Sequence, residues 1–89
     1  MTAETRSAQE IAGWLVAEVA KLVGAPEERI RRDEPIVNYL TDSRDALSLA
    51  ADLEDWLGVQ LSASIVWDHP TIAALADHVA AELVKPASR

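Results

Sequence analysis

The sequence predicts an all-α protein, a small up-and-down helical bundle of three long helices with a long loop between the first two. Three stretches have the apolar period of helices that bury one face. Capping residues, glycine or proline mark the ends of these stretches. The segment between the first two stretches has no sustained period. The 89 residues, 49% of them hydrophobic, suffice for one small core and leave little room for a large catalytic cleft.

The first helix begins after Ser7, because the residues Ser-Ala-Gln-Glu fit a capping box. Gly24 and Pro26 interrupt the pattern and end the helix. The predicted core residues of this helix recur at helical spacing: Ile11, Leu15, Val19 and Leu22.

The long segment 24–41 is predicted to fold against the bundle although it has no helical period. A loop of this length is uncommon in a compact domain unless it is functional or anchored. Residues 26–29 favour one helical turn. Four apolar residues are the expected anchors: Ile30, Ile36, Tyr39 and Leu40.

Successive side chains of an α-helix are rotated by about 100° around its axis, so the residues of the second long helix form three strips. The strip predicted to face the core holds Ala46, Leu49, Ala50, Leu53 and Leu57. A polar strip holds Asp45, Ser48, Asp52 and Asp55. The third strip holds Arg44, Leu47 and Ala51. Gly58 is placed to end this helix in a left-handed conformation.

The last third of the chain contains one short element and one long helix. Residues 62–68 are too few for a period to distinguish a short helix from a strand. Pro70 and Thr71 open the last helix, whose apolar stripe is Ile72, Leu75, Ala76, Val79 and Leu83. We expect one domain at 7–84, with polar tails at 1–6 and 85–89.

Acidic residues outnumber basic ones by 15 to 8, which gives a formal net charge of -7. This charge repels nucleic-acid phosphates and anionic membranes, so we expect partners with basic surfaces. The chain has no cysteine, no secretory pattern and no apolar run of about 18 residues. We therefore expect a cytoplasmic protein, and a monomer, that binds neither nucleic acid nor membrane.

Ser43 lies where the second long helix begins, and two interpretations of it are open. Thr41, Asp42 or Ser43 can cap that helix, a role worth about 0.5–2 kcal/mol against alanine. Alternatively, Ser43 carries a group, because the unpaired N–H groups and dipole of a helix start favour a phosphodiester. A hydrolase that uses Ser43 and a histidine fits poorly, since a G-x-S-x-G elbow is absent.

The two histidines and three tryptophans also have two interpretations each. Asp68, His69 and His78 contain ligand types for a metal, but their spacing does not favour a site, so no metal is expected. His69 is predicted to be a cap or turn residue, and His78 an exposed helical residue. Burial in the core or its rim is predicted, rather than ligand stacking, for Trp14, Trp56 and Trp67.

Two stretches together resemble the carrier-protein family, the acyl and peptidyl carrier domains of polyketide, fatty-acid and nonribosomal-peptide synthases. The first is DSRDALSLAADLEDWLG, in which an Asp-Ser pair opens a helix with apolar residues at the family's spacing. The second is LSASIVWDHPTIAALADHV, in which Trp-Asp-His-Pro-Thr-Ile opens the last helix. The resemblance, closest to polyketide-synthase acyl carriers, extends from the first helix to Leu83 and implies a four-helix bundle with one short helix.

The resemblance implies a non-catalytic protein modified at Ser43. A phosphopantetheinyl transferase would attach 4′-phosphopantetheine from coenzyme A to this serine, and Asp42 would help to present it. The thiol of the arm would carry acyl groups as thioesters among a loading enzyme, a ketosynthase and other synthase domains. The loading enzyme would be an acyltransferase or an acyl-adenylate ligase. By the same resemblance, the partner-binding residues are Arg44, Asp45, Leu47, Ala51, Asp52 and Asp55.

Some positions depart from the pattern of the family. Leu40 stands where glycine is usual, Thr41 where leucine often precedes the aspartate, and Arg44 where leucine is usual. A positive charge beside the attachment point changes which partners can dock. These departures leave an alternative open, an unmodified helical docking domain with the shape of a carrier.

Overall fold

A computed structural model describes residues 6–40, 42–62 and 64–84. Within these ranges the chain forms four α-helices and no β-strand: α1 (Ala8–Val23), α2 (Ser43–Leu57), α3 (Ile65–Asp68) and α4 (Ile72–Val84). Two 3₁₀ turns, Glu27–Arg29 and Ile36–Asn38, lie between α1 and α2. The all-α class, the three long helices, the short helix and the long loop are confirmed. None of the described helices is both long and apolar enough to cross a bilayer.

The capping box predicted at the start of α1 is present. The Glu10 backbone N–H donates to Ser7 Oγ over 3.1 Å, and the Ser7 backbone N–H donates to Glu10 Oε1 over 3.0 Å. Gly24 ends the helix at a φ of 70°, a left-handed conformation in which a side chain would be strained. Both ends of α1 are therefore determined by local sequence.

The core stripe of α1 is confirmed except at its carboxyl end. Ile11, Leu15 and Val19 are fully buried, whereas Leu22 is 43% exposed, so the prediction for Leu22 was wrong. Three further residues, which were not among the predicted set, complete the buried face of α1: Ala12, Val16 and Ala20. Small side chains allow close helix packing, and α1 makes its most extensive contacts with α4.

The loop between α1 and α2 is held against the start of α4 by backbone hydrogen bonds. The Ile36 N–H donates to the carbonyl of Pro70 over 2.6 Å, and the Ala73 N–H donates to the carbonyl of Arg32 over 3.0 Å. Ile30 and Ile36 are buried, and the predicted turn at 26–29 is the first 3₁₀ turn. The remaining predicted anchors are partly buried against the core: Tyr39 and Leu40.

The core strip predicted for α2 is confirmed at every position, since none of its five side chains is more than 8% exposed. Gly58 ends α2 at a φ of 74°, and its N–H donates to the Glu54 carbonyl over 2.7 Å. In α4, the predicted stripe is buried at four positions and partly buried at Leu83. The Ala74 N–H donates to Thr71 Oγ1 over 3.0 Å, which caps α4 as expected.

The three tryptophans have different environments. Trp14 and Trp56 are half-buried and stack on each other, with ring centroids 4.9 Å apart and an interplanar angle of 8°. The guanidinium carbon of Arg6 lies 4.3 Å from the Trp56 ring centroid, so this side chain packs on the ring. Trp67 is 51% exposed, and the prediction that it packs was wrong. Residues 1–5 and 85–89 lie outside the described ranges.

Candidate functional site

The start of α2 assigns the capping role to Asp42 and not to Ser43. Asp42 has extended backbone angles, and its Oδ1 accepts the backbone N–H of Arg44 over 2.8 Å. Ser43 is the first helical residue, and its side chain is exposed. Within the described ranges, no hydrogen bond engages the Ser43 hydroxyl. The aspartate therefore stabilises the helix start and leaves the hydroxyl accessible.

In the part of the chain that the structure describes, the other hydroxyls near helix starts are occupied. Ser7 Oγ and Thr71 Oγ1 each accept a backbone N–H at a helix start. Ser62 Oγ lies 2.9 Å from Ser64 Oγ, and the Ser64 hydroxyl donates to Asp68 Oδ2 over 3.0 Å. Ser43 differs from all of these because its neighbour supplies the cap. The difference between capping and accessible hydroxyls cannot be read from the residue type.

A phosphodiester fits the environment of the Ser43 hydroxyl. The first backbone N–H groups of a helix lack intrahelical acceptors, and the helix dipole favours negative charge at this end. Arg44 adds a guanidinium whose side chain is 88% exposed and whose Nη2 lies 4.0 Å from Asp42 Oδ2. An exposed oxygen at the positive end of a helix dipole, with a cation beside it, is suited to carry an anionic group. Among the described residues, no base is hydrogen-bonded to this hydroxyl, as the mechanism of a serine hydrolase would require.

The residues predicted to bind partners occupy the outward side of α2. Five of the six are exposed, and Asp45 is half-buried. Leu47 is 48% exposed, which makes it one of three large hydrophobic side chains that the described chain leaves exposed, with Leu22 and Trp67. The outward side therefore combines carboxylates with a single large apolar side chain. The predicted set is Arg44, Asp45, Leu47, Ala51, Asp52 and Asp55.

The structure gives the histidines a packing role. His69 and His78 stack with ring centroids 3.9 Å apart and an interplanar angle of 15°. His69 follows α3 and donates its backbone N–H to the Ile65 carbonyl, as expected of a turn residue. His78 is half-buried, so the prediction that it is exposed was wrong. In the ranges that the structure describes, no group of three His, Cys, Asp or Glu residues could hold a metal ion.

Trp67 is a surface residue that sequence reasoning missed. It belongs to α3, which is only 4 residues long, and Ile65 and Val66 of the same turn are buried. Four residues give too short a period to tell which side chain faces outward. Leu40, a departure from the family pattern, is partly buried against the core and thus has a packing role. Thr41, the neighbouring departure, lies outside the described ranges.

Known sequences match the chain along most of its length. A family model described as "Phosphopantetheine attachment site" matches residues 13–79. One phenolphthiocerol/phthiocerol polyketide synthase protein of Mycobacterium tuberculosis is 31% identical to the chain over 88 residues. That match covers 99% of the chain but only 5% of the synthase, so the chain corresponds to a small part of such a relative.

Smaller proteins match over nearly their whole length. Acyl carrier protein TtuC of Teredinibacter turnerae is 30% identical over 78 residues, which cover 88% of the chain and 90% of TtuC. The crystal structure of a free-standing peptidyl carrier protein from an Acinetobacter baumannii secondary metabolic pathway is 35% identical to the chain. It superposes with a TM-score of 0.80, over 86% of this chain and 96% of that one.

Proposed function

The chain belongs to the phosphopantetheine-attachment family of acyl and peptidyl carrier domains, which confirms the resemblance found in the sequence, and we propose that Ser43 is its attachment residue. Members of this family tether biosynthetic intermediates on 4′-phosphopantetheine and are not catalysts themselves. The terminal thiol that this group supplies holds the intermediate as a thioester.

One observation carries the assignment to Ser43. Its hydroxyl is exposed at the first position of α2 and has no hydrogen-bond partner in the described ranges, because Asp42 caps the helix. A hydroxyl without a hydrogen-bond partner is accessible to a transferase. A hydroxyl that caps its helix would first have to break its hydrogen bond to a backbone N–H group. Asp42 supports the modification by holding the helix start in a fixed conformation. The apolar face of α2 fixes the position of Ser43 on the bundle.

We assign the cargo to the acyl class and the setting to a polyketide synthase, either as one domain of it or as a free-standing carrier. This assignment is supported by the matches to a polyketide synthase and to an acyl carrier protein. A tethered group visits successive active sites at high effective concentration, so the carrier can act without any catalytic residue. We further propose that it works as a monomer in the cytoplasm.

The proposed partners are a phosphopantetheinyl transferase, an acyl-loading enzyme and synthase domains such as a ketosynthase. The loading enzyme is an acyltransferase or an acyl-adenylate ligase. These partners would dock on the outward side of α2, which presents Leu47 and the exposed carboxylates of Asp52 and Asp55. Contacts of this kind are small and charge-assisted, and they allow rapid association and release. Arg44 would select against partners that place a positive charge opposite it.

The direct test is to incubate the chain with coenzyme A, magnesium and a promiscuous phosphopantetheinyl transferase and then to measure its intact mass. We expect one phosphopantetheine on the native chain and none on Ser43→Ala. The matched control is Ser48→Ala, which removes an exposed hydroxyl from the same helix and should leave modification unchanged.

Three results would contradict the proposal. An unchanged mass, under conditions that modify a known carrier, would favour the unmodified docking domain. A phosphopantetheine retained by Ser43→Ala would place the attachment elsewhere. Ester hydrolysis by the unmodified chain would instead favour the hydrolase, a class that the site geometry disfavours.

A further inference from the structure

Arg44 is an isolated positive charge in an acidic part of the chain. It is the only lysine or arginine between Arg32 and Lys85, a stretch that contains ten acidic residues. This single cation directly follows the proposed attachment residue, Ser43. Its position calls for a physical explanation, because an arginine on the outward side of α2 works against the acidic character of the surface around it.

The arginine side chain turns back toward the start of its own helix. Its Nη2 lies 4.0 Å from Asp42 Oδ2, while its backbone N–H donates to Asp42 Oδ1 over 2.8 Å. Ser43 lies between these two residues in the chain. A contact of 4.0 Å on a side chain that is 88% exposed is weak and leaves most of the five guanidinium donors available.

Attachment of a phosphodiester to Ser43 would change the charge balance at this point. The new group carries one negative charge and would lie within a few ångströms of the Asp42 carboxylate, since consecutive Cα atoms are about 3.8 Å apart. Two neighbouring anions repel each other, and a cation that lies near both of them offsets this repulsion. A guanidinium is suited to this because its planar donors can serve two oxygen acids at once.

We infer that the Arg44 guanidinium binds the phosphodiester on Ser43 and holds the root of the prosthetic arm against the start of α2, with Asp42 on its other side. This inference rests on the proposed function, because it requires the group to be on Ser43. Arg44 is then a positioning residue: it restricts the first bonds of the arm and leaves the distal thiol free. Among the described residues of the unmodified chain, the same guanidinium has only Asp42 as an ionic partner.

The test is nuclear magnetic resonance of the protein before and after modification, with intact mass recorded for each sample. In the modified native chain, we expect the Arg44 Nε proton to exchange about two- to five-fold more slowly than in the unmodified chain, as for an exposed ion pair. We also expect a shift of the ³¹P resonance between the native chain and Arg44→Gln. High salt should reduce both effects, since it screens exposed charges.

Two variants separate this role from a general effect of charge. Arg44→Lys keeps the charge but loses the planar donors, so it should retain only part of the ³¹P shift. Arg29→Gln removes an exposed arginine from the loop and should retain all of it. Because these readouts follow the phosphate and the guanidinium, a purely structural role of Arg44 would not change them.

The outcomes distinguish this inference from the proposed function. A mass that does not rise, or that rises on Ser43→Ala, overturns both. A chain modified at Ser43 whose ³¹P resonance and Nε exchange do not depend on Arg44 overturns only the phosphate contact. If Arg44→Gln then slows acyl loading without changing the ³¹P resonance, Arg44 contacts an acid of the loading enzyme instead.

Discussion

The inward and outward faces of α2 differ in burial, polarity and charge, although they alternate along the same 15 residues. The inward face is apolar and at most 8% exposed: Ala46, Leu49, Ala50, Leu53 and Leu57. The outward face presents two hydroxyls, a guanidinium, carboxylates and two apolar side chains: Ser43, Arg44, Asp45, Leu47, Ser48, Ala51, Asp52 and Asp55. One face holds the helix in the bundle, and the other displays Ser43, the proposed attachment residue.

The contrast between the faces indicates that residues important for stability and residues proposed for modification and docking are separate along this helix. A substitution on the inward face changes the free energy of unfolding, because it alters a packed core. A substitution on the outward face leaves the core intact and changes the surface that is available to a docking partner. Pairs of matched variants test this separation.

The largest effect is expected for Leu49→Asp. Leu49 is 1% exposed, so this change buries a carboxylate without a partner, which costs several kcal/mol. A small domain has a total stability of about 5–15 kcal/mol, and a loss of this size should unfold much of the population. Thermal melting followed by circular dichroism measures the effect.

The matched variant is Leu47→Asp, two positions away on the outward face. Its free energy of unfolding should lie within about 0.5 kcal/mol of that of the native chain, because Leu47 is 48% exposed. It should nevertheless lower the kcat/KM of loading by a partner enzyme. Equal losses of stability in the two variants would show that the inward and outward faces are assigned wrongly.

The tryptophans extend the comparison beyond α2. Trp14→Ala removes a half-buried ring that stacks on Trp56, and we expect it to cost about 2 kcal/mol. Trp67→Ala removes a side chain that is 51% exposed and should cost at most about 0.5 kcal/mol. Chemical denaturation of both variants measures the contrast. If the larger loss belonged to Trp67→Ala, this residue would pack into the core after all.

The smallest effect concerns the division of roles between Asp42 and Ser43. Asp42→Ala removes the cap of α2 and should cost about 1 kcal/mol, whereas Asp42→Asn keeps an acceptor and should cost a few tenths. Ser43→Ala should change stability by less than about 0.5 kcal/mol, because its hydroxyl has no partner among the described residues. Chemical denaturation of the three variants measures these differences. A loss of about 1 kcal/mol in Ser43→Ala would identify the serine as a cap and weaken its assignment as the accessible hydroxyl.

Much of the fold follows from local patterns in the sequence. The apolar period of α2 identified all five of its core residues, and Ser7, Gly24 and Gly58 marked helix ends correctly. Capping and left-handed termination depend on residues within about one helical turn, so they can be read from consecutive letters. The family was also identified from the sequence, because its two characteristic stretches are continuous.

The candidate site could be located from the sequence. The sequence did not show which residue caps α2 and which presents a free hydroxyl. Thr41, Asp42 and Ser43 are all capping residue types, and nothing in their order shows which of them leaves its oxygen free. The structure answers this for the described pair, since Asp42 accepts the Arg44 N–H. Side-chain direction depends on backbone angles at the helix boundary, and these are not encoded by residue type alone.

Residues that lie close together in the chain were enough to specify the long helices, the inward face of α2 and the place of Ser43 at a helix start. Which residues at the ends of elements are covered depended instead on the packing of the whole bundle. That packing leaves Leu22 and Trp67 exposed, and it stacks His69 on His78. A period shows which way a side chain points, but whether anything lies there depends on where distant elements end.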